Sequence, residues 1–252
     1  MIILYRIYQL FIVVPVVLVV SIFASLFTVV GCLIGNGHFW GYYPGKYWSR
    51  LIIRLLLLPV KVEGREHLDP HQSYVFVANH QGAFDIFLIY GYLNRNIKWM
   101  MKRSLAKIPF VGIACKAAHF ILVDKSGPSK IKATYDQARE ILREGMSLVV
   151  FPEGARTFTG HMGFFRRGAF MLADELQLPV APLTINGSFN VMPRTRDMKW
   201  VIWHPLRLTI HEPIYPVGQG RDNVKHLEEE SYKAVMSGLV PEYQGYVEND
   251  DQ

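Results

Sequence analysis

Charge is missing from a long stretch near the start of this chain: no Asp, Glu, Lys or Arg occurs between Arg6 and Lys46, and Leu10 to Ile34 is almost continuously apolar. That absence excludes an ordinary solvated helix there. At about 1.5 Å per residue the run is long enough to cross a hydrocarbon core of roughly 30 Å, with length to spare for tilt or a kink at Pro15. It is also much longer than the apolar core of about 7 to 15 residues in a cleaved leader, and no clear small-residue cleavage site ends it. The segment is therefore expected to remain in a membrane.

Cysteine is scarce as well. Cys32 and Cys115 are the only two, which excludes a disulfide framework and fits a reducing compartment. Repeats, low-complexity tracts, a G-x-S-x-G nucleophile elbow and an H-E-x-x-H zinc helix are all absent. Cys115 and His119 share a helix face if a helix runs there, but two soft ligands do not make a metal site, and no metal is expected. A strongly acidic balance is missing too: the formal net charge is +6 and the pI near 9.2. An anionic partner follows, and a membrane surface or a phosphorylated substrate serves as well as nucleic acid. The basic residues are scattered and no nucleic-acid motif accompanies them, so no nucleic-acid partner is expected. Lys46, Arg50, Arg54 and Lys61 after the apolar run outnumber Arg6 before it, which places the rest of the chain on the cytoplasmic face of an inner or plasma membrane.

What is present divides into residues 1–60, read as a membrane anchor, and 61–252, read as a catalytic-type domain. Gly35-Asn36-Gly37 marks a turn, and the spacing predicts a second helix over 45–58. Trp48, Leu51, Ile52, Leu55 and Leu56 form one helical stripe, with Lys46, Arg50 and Arg54 opposite. This is the pattern of an amphipathic helix lying in the membrane interface, with an ordinary core-facing surface helix as the alternative that periodicity alone does not separate. From Val60 on, short apolar runs alternate with helical patterns. Strands are expected at 74–78, 120–123, 148–151, 180–185 and 206–210, and helices at 85–92, 129–144 and 167–176. The strands are apolar on both faces, so the fold class is α/β, a mixed, mostly parallel sheet with helices on both sides and N-terminal membrane helices. The acidic tail 248–252 reads as disordered.

Two blocks carry chemistry. In Val77-Ala78-Asn79-His80-Gln81-Gly82-Ala83-Phe84-Asp85 a strand passes through a glycine-containing turn into a helix, which puts His80 at a strand end. Five residues of ideal helix turn through about 500°, so His80 and Asp85 meet only if His80 lies in the turn and Asp85 points back from the first helical turn. If they meet, the carboxylate fixes the tautomer and leaves the other ring nitrogen as a base. Alone, the pair is more often a helix-start charge beside an unremarkable loop histidine. In Leu148-Val149-Val150-Phe151-Pro152-Glu153-Gly154-Ala155-Arg156-Thr157, Glu153 and Arg156 emerge at another strand end. Arg156 suits a bidentate phosphate contact, and Glu153 suits a hydroxyl contact or the orientation of the arginine; a plain surface pair is the bland alternative. Phe164-Phe165-Arg166-Arg167-Gly168-Ala169-Phe170 mixes cations and aromatics before a helix, either to grip phosphate or as a solvated helix start.

Asn79-His80 with Asp85, then Phe120-Ile121-Leu122-Val123-Asp124-Lys125, then Phe151-Pro152-Glu153-Gly154 with Arg156, then Leu178-Pro179-Val180-Ala181-Pro182-Leu183 stand in one order over most of residues 61–215. Together they resemble the 1-acyl-glycerol-3-phosphate (lysophosphatidic acid) acyltransferase family. The resemblance implies that His80 is the base and Asp85 its orienter, and that Glu153, Gly154, Arg156 and Lys125 bind the acceptor. It implies transfer of a fatty acyl group from acyl-CoA or acyl carrier protein to lysophosphatidic acid at a membrane, the thioester being a co-substrate and no cofactor being needed. Lys125 stands where the family's second motif usually has arginine, and Ala155 replaces the usual hydroxyl residue, although Thr157 follows two positions later. Neither cysteine stands in a nucleophile motif, so direct transfer is expected rather than an acyl-enzyme. A thioesterase that passes the acyl group to water, and a lipid-binding protein without turnover, remain as alternatives.

Overall fold

The short apolar runs beyond residue 60 become the centre of a sheet because side chains on both faces must leave water. In the computed structural model, which describes residues 2–123, 126–143, 145–195 and 200–245, the elements follow the order α1 (Ile2–Tyr8), a π-helical turn (Gln9–Val13), α2 (Val14–Ile34), α3 (Gly37–Trp40), α4 (Tyr43–Leu55), β1 (Val60–Glu63), β2 (Val75–Ala78), α5 (Phe84–Tyr92), β3 (Ile97–Lys102), α6 (Val111–Ala117), β4 (Ile121–Val123), α7 (Pro128–Arg143), β5 (Ser147–Val150), α8 (Gly168–Leu176), β6 (Val180–Asn186), α9 (Ser188–Val191), β7 (Leu206–Ile210) and α10 (Arg221–Gly238). The strands form one seven-stranded sheet in the order β1-β7-β6-β2-β5-β3-β4. All neighbours are parallel except β6 and β7. The mixed, mostly parallel sheet is the expected class. Lys125 and the acidic tail 248–252 lie outside the described residues.

Alternation along the central strands sorts the core into two halves. Tyr74, Phe76, Ala78 and Val149 pack with Ile52 and Ile53 of α4 and Leu88 and Ile89 of α5. Val75, Val77, Leu148 and Val150 point the other way, onto Ala138 of α7, Phe170 and Leu172 of α8, and Leu227 and Val235 of α10. Because β2 and β5 run parallel in register from Val75 opposite Leu148 to Val77 opposite Val150, the loops that leave them open side by side at the same edge of the sheet. That edge holds His80 and Glu153.

Several features depart from the sequence expectations, among them helices α6 and α10, which fall outside the expected helical spans. Strands β1 and β3 were not foreseen, because Val-Lys-Val-Glu is very short and Ile-Lys-Trp-Met-Met-Lys carries two lysines. The second helix ends at Leu55, and of its basic residues Lys46 and Arg50 turn inward while Arg54 stays exposed. Lys46 is buried and donates to Asn94 Oδ1 at 2.6 Å, and Arg50 Nε donates to the Gly91 carbonyl at 2.6 Å. Gly91 permits this contact, since a Cβ there would meet Arg50 Cγ at 3.2 Å. Tyr47, Leu51 and Arg54 face out instead. Among the described residues one helix is long and apolar enough to cross a membrane, the continuous 33-residue stretch Ile2–Ile34. Its π-helical turn immediately precedes Pro15 at the start of α2, and the extra residue in that turn eases the clash of the proline ring with the preceding turn.

Candidate active site

His80 lies in the turn between β2 and α5, and Asp85 lies in the first turn of α5, the one arrangement in which residues five apart meet. Nδ1 of His80 stands 2.7 Å from Asp85 Oδ2, and the Gly82 N–H donates to the same oxygen at 2.9 Å. Asp85 is fully buried and His80 keeps 15% of its side chain exposed. A carboxylate only accepts, so Nδ1 carries the proton and Nε2 is left with its lone pair. Among the described residues Nε2 has no hydrogen-bond partner. The helix N-terminus adds favourable field for the Asp85 charge.

Three ties hold this loop. Asn79 behaves as a strand residue in miniature, its amide donating to the Ile185 carbonyl at 2.9 Å and accepting from the Ile185 N–H at 2.8 Å. The Ala83 N–H donates to the Met192 carbonyl at 3.1 Å. Gly82 is required by contact, not by dihedral angle: a Cβ there would sit 2.3 Å from the Ser188 carbonyl oxygen. The third tie comes from the other loop. Glu153 Oε1 accepts the His80 N–H at 2.7 Å, and Oε2 accepts the Gly163 N–H at 2.9 Å.

Glu153 is therefore fixed between two backbone amides rather than aimed at Arg156. Burial pushes its carboxyl up to about 8, against the opposing pull of the Gly163 and His80 amides. Gly154 adopts φ +83°, a left-handed conformation that turns the chain out of β5. Arg156 emerges beyond it, half-buried. Desolvation lowers its proton affinity, the Asp85 charge opposes this, and the neighbouring Arg194 lowers it further. Arg194 donates from Nη1 to the Arg156 carbonyl at 2.7 Å and lies 4.3 Å from the Phe158 ring centroid. Neither arginine forms an ion pair among the described residues. Two guanidiniums without ion pairs next to a histidine–carboxylate pair are chemically suited to an anion.

The structure thus brings His80, Asp85 and Glu153 into direct contact and sets Gly154 and Arg156 in the adjoining loop. The aromatic–basic segment 164–170 divides: Phe165 and Phe170 are core, Arg167 pairs with Glu228 at 2.9 Å, and only Arg166 reaches over the site loop. Sequence reasoning missed Arg194, an arginine with no motif around it, and missed Phe151 as a neighbour of the histidine ring. Among the described residues no cluster of three or more metal-ligating side chains occurs.

Comparison with known proteins agrees with this edge of the sheet. The family profile described as Acyltransferase matches residues 59–186, a span that contains both site loops. The chain belongs to this acyltransferase family. It is 31% identical over 189 residues to a 1-acyl-sn-glycerol-3-phosphate acyltransferase of Chlamydomonas reinhardtii, covering 74% of this chain and 54% of that one. It is 35% identical over 185 residues to the mouse 1-acyl-sn-glycerol-3-phosphate acyltransferase alpha, covering 70% and 65%. The chain spans about half the length of several such relatives. The crystal structure of the 1-acyl-sn-glycerophosphate (LPA) acyltransferase PlsC from Thermotoga maritima superposes with a TM-score of 0.74 at 26% identity, covering 93% of this chain and 95% of that one. The likeness in fold therefore covers far more of the chain than the span of the family profile.

Proposed function

We propose that the protein moves a fatty acyl group from acyl-CoA or acyl carrier protein to the free hydroxyl of 1-acyl-glycerol-3-phosphate, giving phosphatidic acid. The observation that carries this reading is the 2.7 Å contact of His80 Nδ1 with Asp85, which leaves Nε2 as a base at the mouth of the site. In the proposed step the O–H bond of the acceptor breaks as its proton passes to Nε2. The oxygen bonds to the thioester carbon, the C–S bond breaks, and the thiolate leaves and takes the proton back from the imidazolium. A positioned base of this kind is worth on the order of 10² to 10⁴ in rate. Arg156 holds the acceptor phosphate, and Glu153 ties its loop to that of His80.

The membrane reading is supported by how the first helix is held. At one end Tyr5 and Tyr8 donate to the Leu56 and Leu55 carbonyls, each at 2.7 Å, and Gln9 pairs both amide atoms with the Val201 backbone at 2.8 and 3.2 Å. At the other end Trp48 donates to Ser21 Oγ at 2.9 Å, and Trp40 lies so close on Gly31 that a Cβ there would meet its ring at 2.2 Å. The opposite face exposes Leu4, Ile7, Phe11, Leu18, Ile22 and Leu26 along its length. A helix fixed lengthwise on a charged domain meets lipid with its flank, so the chain sits on a bilayer surface with the site loops near the lipid acceptor. The test is acyl transfer by the full chain with both donors and a panel of lysolipids. Lysophosphatidic acid is the expected acceptor, and Arg156→Ala is expected to raise its KM by about tenfold or more with a smaller change in kcat. Release of free fatty acid at full rate without any acceptor would contradict transfer.

A further inference from the structure

The ring of Phe151 lies almost flat on the imidazole of His80, with centroids 3.9 Å apart and planes 10° apart. Behind it stands Trp99, 5.8 Å away and 25° inclined. Trp99 occupies β3 at the register of Val149, two residues before Phe151, so both rings project from the same face of the sheet. Trp99 is in turn wedged edge-on by Tyr90 at 6.1 Å and is 5% exposed. The stack therefore has a rigid back wall. Neutral rings gain modestly from such stacking. A cationic ring over a π face is attracted more strongly. The contact therefore gains strength as His80 takes a proton and becomes the imidazolium.

We infer that Phe151, backed by Trp99, is a positioning residue for acyl transfer: it fixes the plane of the His80 ring and favours the imidazolium formed as the acceptor hydroxyl is deprotonated. Asp85 sets the position of the ring through Nδ1 and supplies the balancing negative charge. Glu153 holds the backbone N–H of His80, and Arg156 lies within electrostatic reach of Asp85. Phe151 is the only one of these contacts that covers a face of the ring, so it governs rotation about the Cβ–Cγ bond. Because it acts through the His80 ring, its loss is expected in kcat and not in substrate binding.

The inference rests on His80 acting as the base. Its test compares Phe151→Leu, Phe151→Tyr and a series of fluorinated phenylalanines at position 151 in the full chain, with kcat and both KM values measured on the acceptor that the wild type uses. Phe151→Leu is expected to lose roughly threefold to tenfold in kcat, with both KM values within about twofold of wild type. Phe151→Tyr should recover most of the rate, and kcat should fall stepwise as fluorines draw electron density from a ring of nearly unchanged shape. The fluorinated series decides the matter even if Phe151→Leu fails to fold. A flat series, or Phe151→Tyr as slow as Phe151→Leu, overturns the inference alone when His80→Ala is inactive. Wild-type activity in His80→Ala overturns it together with the reading it rests on.

Discussion

Glu153 connects the two site loops with one side chain. Its oxygens hold amides that belong to different segments, His80 and Gly163, so truncation leaves two donors unpaired in a place water does not reach. Glu153→Ala should therefore cost about 2 to 5 kcal/mol of stability, measured by denaturant unfolding, and should lower activity with it. The pH dependence has a definite sign. The carboxyl is raised from 4.5 to about 8 by burial, so the fold binds its proton more tightly than the unfolded chain does. Its contribution is fully present below about pH 4.5 and is lost as pH rises through about 8. Wild-type Tm should fall more steeply across that window than the Tm of Glu153→Gln; parallel curves would contradict the assignment. Gly82→Ala is expected to be worse for catalysis than for folding, because relief of its contact with Ser188 moves the loop that carries His80. At this scale the sequence was legible where partners are close along the chain. His80 and Asp85 share one turn, and the strand–turn–helix pattern placed both. The ties to Ile185, Met192 and Glu153 were hidden because each partner lies more than 70 positions away.

At the scale of elements, periodicity located α4 but not the surface it covers. Its residues alternate between an apolar stripe and a basic one, and both stripes are partly buried. Ile52 and Ile53 enter the core while Lys46 and Arg50 close on α5. The deciding features are the carbonyl of Gly91 in α5 and the side chain of Asn94 just beyond that helix, which offer acceptors that the spacing within α4 does not reveal. Arg50→Ala is expected to destabilise the chain by about 1 to 2 kcal/mol, through loss of a charge-assisted hydrogen bond and of the packed stem. A change below about 0.3 kcal/mol would mean the contact contributes nothing. The central strands β2, β5 and β6 were readable because burial on both faces makes them nearly pure apolar runs. Strands β1 and β3 lie nearer the sheet edges and carry lysines, Lys61 and Lys102 exposed and Lys98 buried on the Ala118 carbonyl, and those charges weaken the same signal.

For the molecule as a whole, the order of the strands creates the site. Only parallel pairing of β2 with β5 brings a histidine loop and a glutamate–arginine loop to one edge, and strand order is not written in any local pattern. The apolar length of the first helix was plain in the sequence, whereas its attachment along the domain was not, since it depends on single polar groups such as Gln9 meeting the backbone near Val201. Replacement of Gln9 by Ala should loosen that attachment, seen as faster amide exchange at Val201 with little change at the sheet centre. The central claim is that His80, oriented by Asp85, is the base for acyl transfer. The most direct test is kcat for transfer from a thioester to lysophosphatidic acid by purified wild type, His80→Ala and Asp85→Asn. Both variants should fold, keep acceptor affinity and lose on the order of 10² to 10⁴ in kcat; wild-type turnover in His80→Ala would contradict the account.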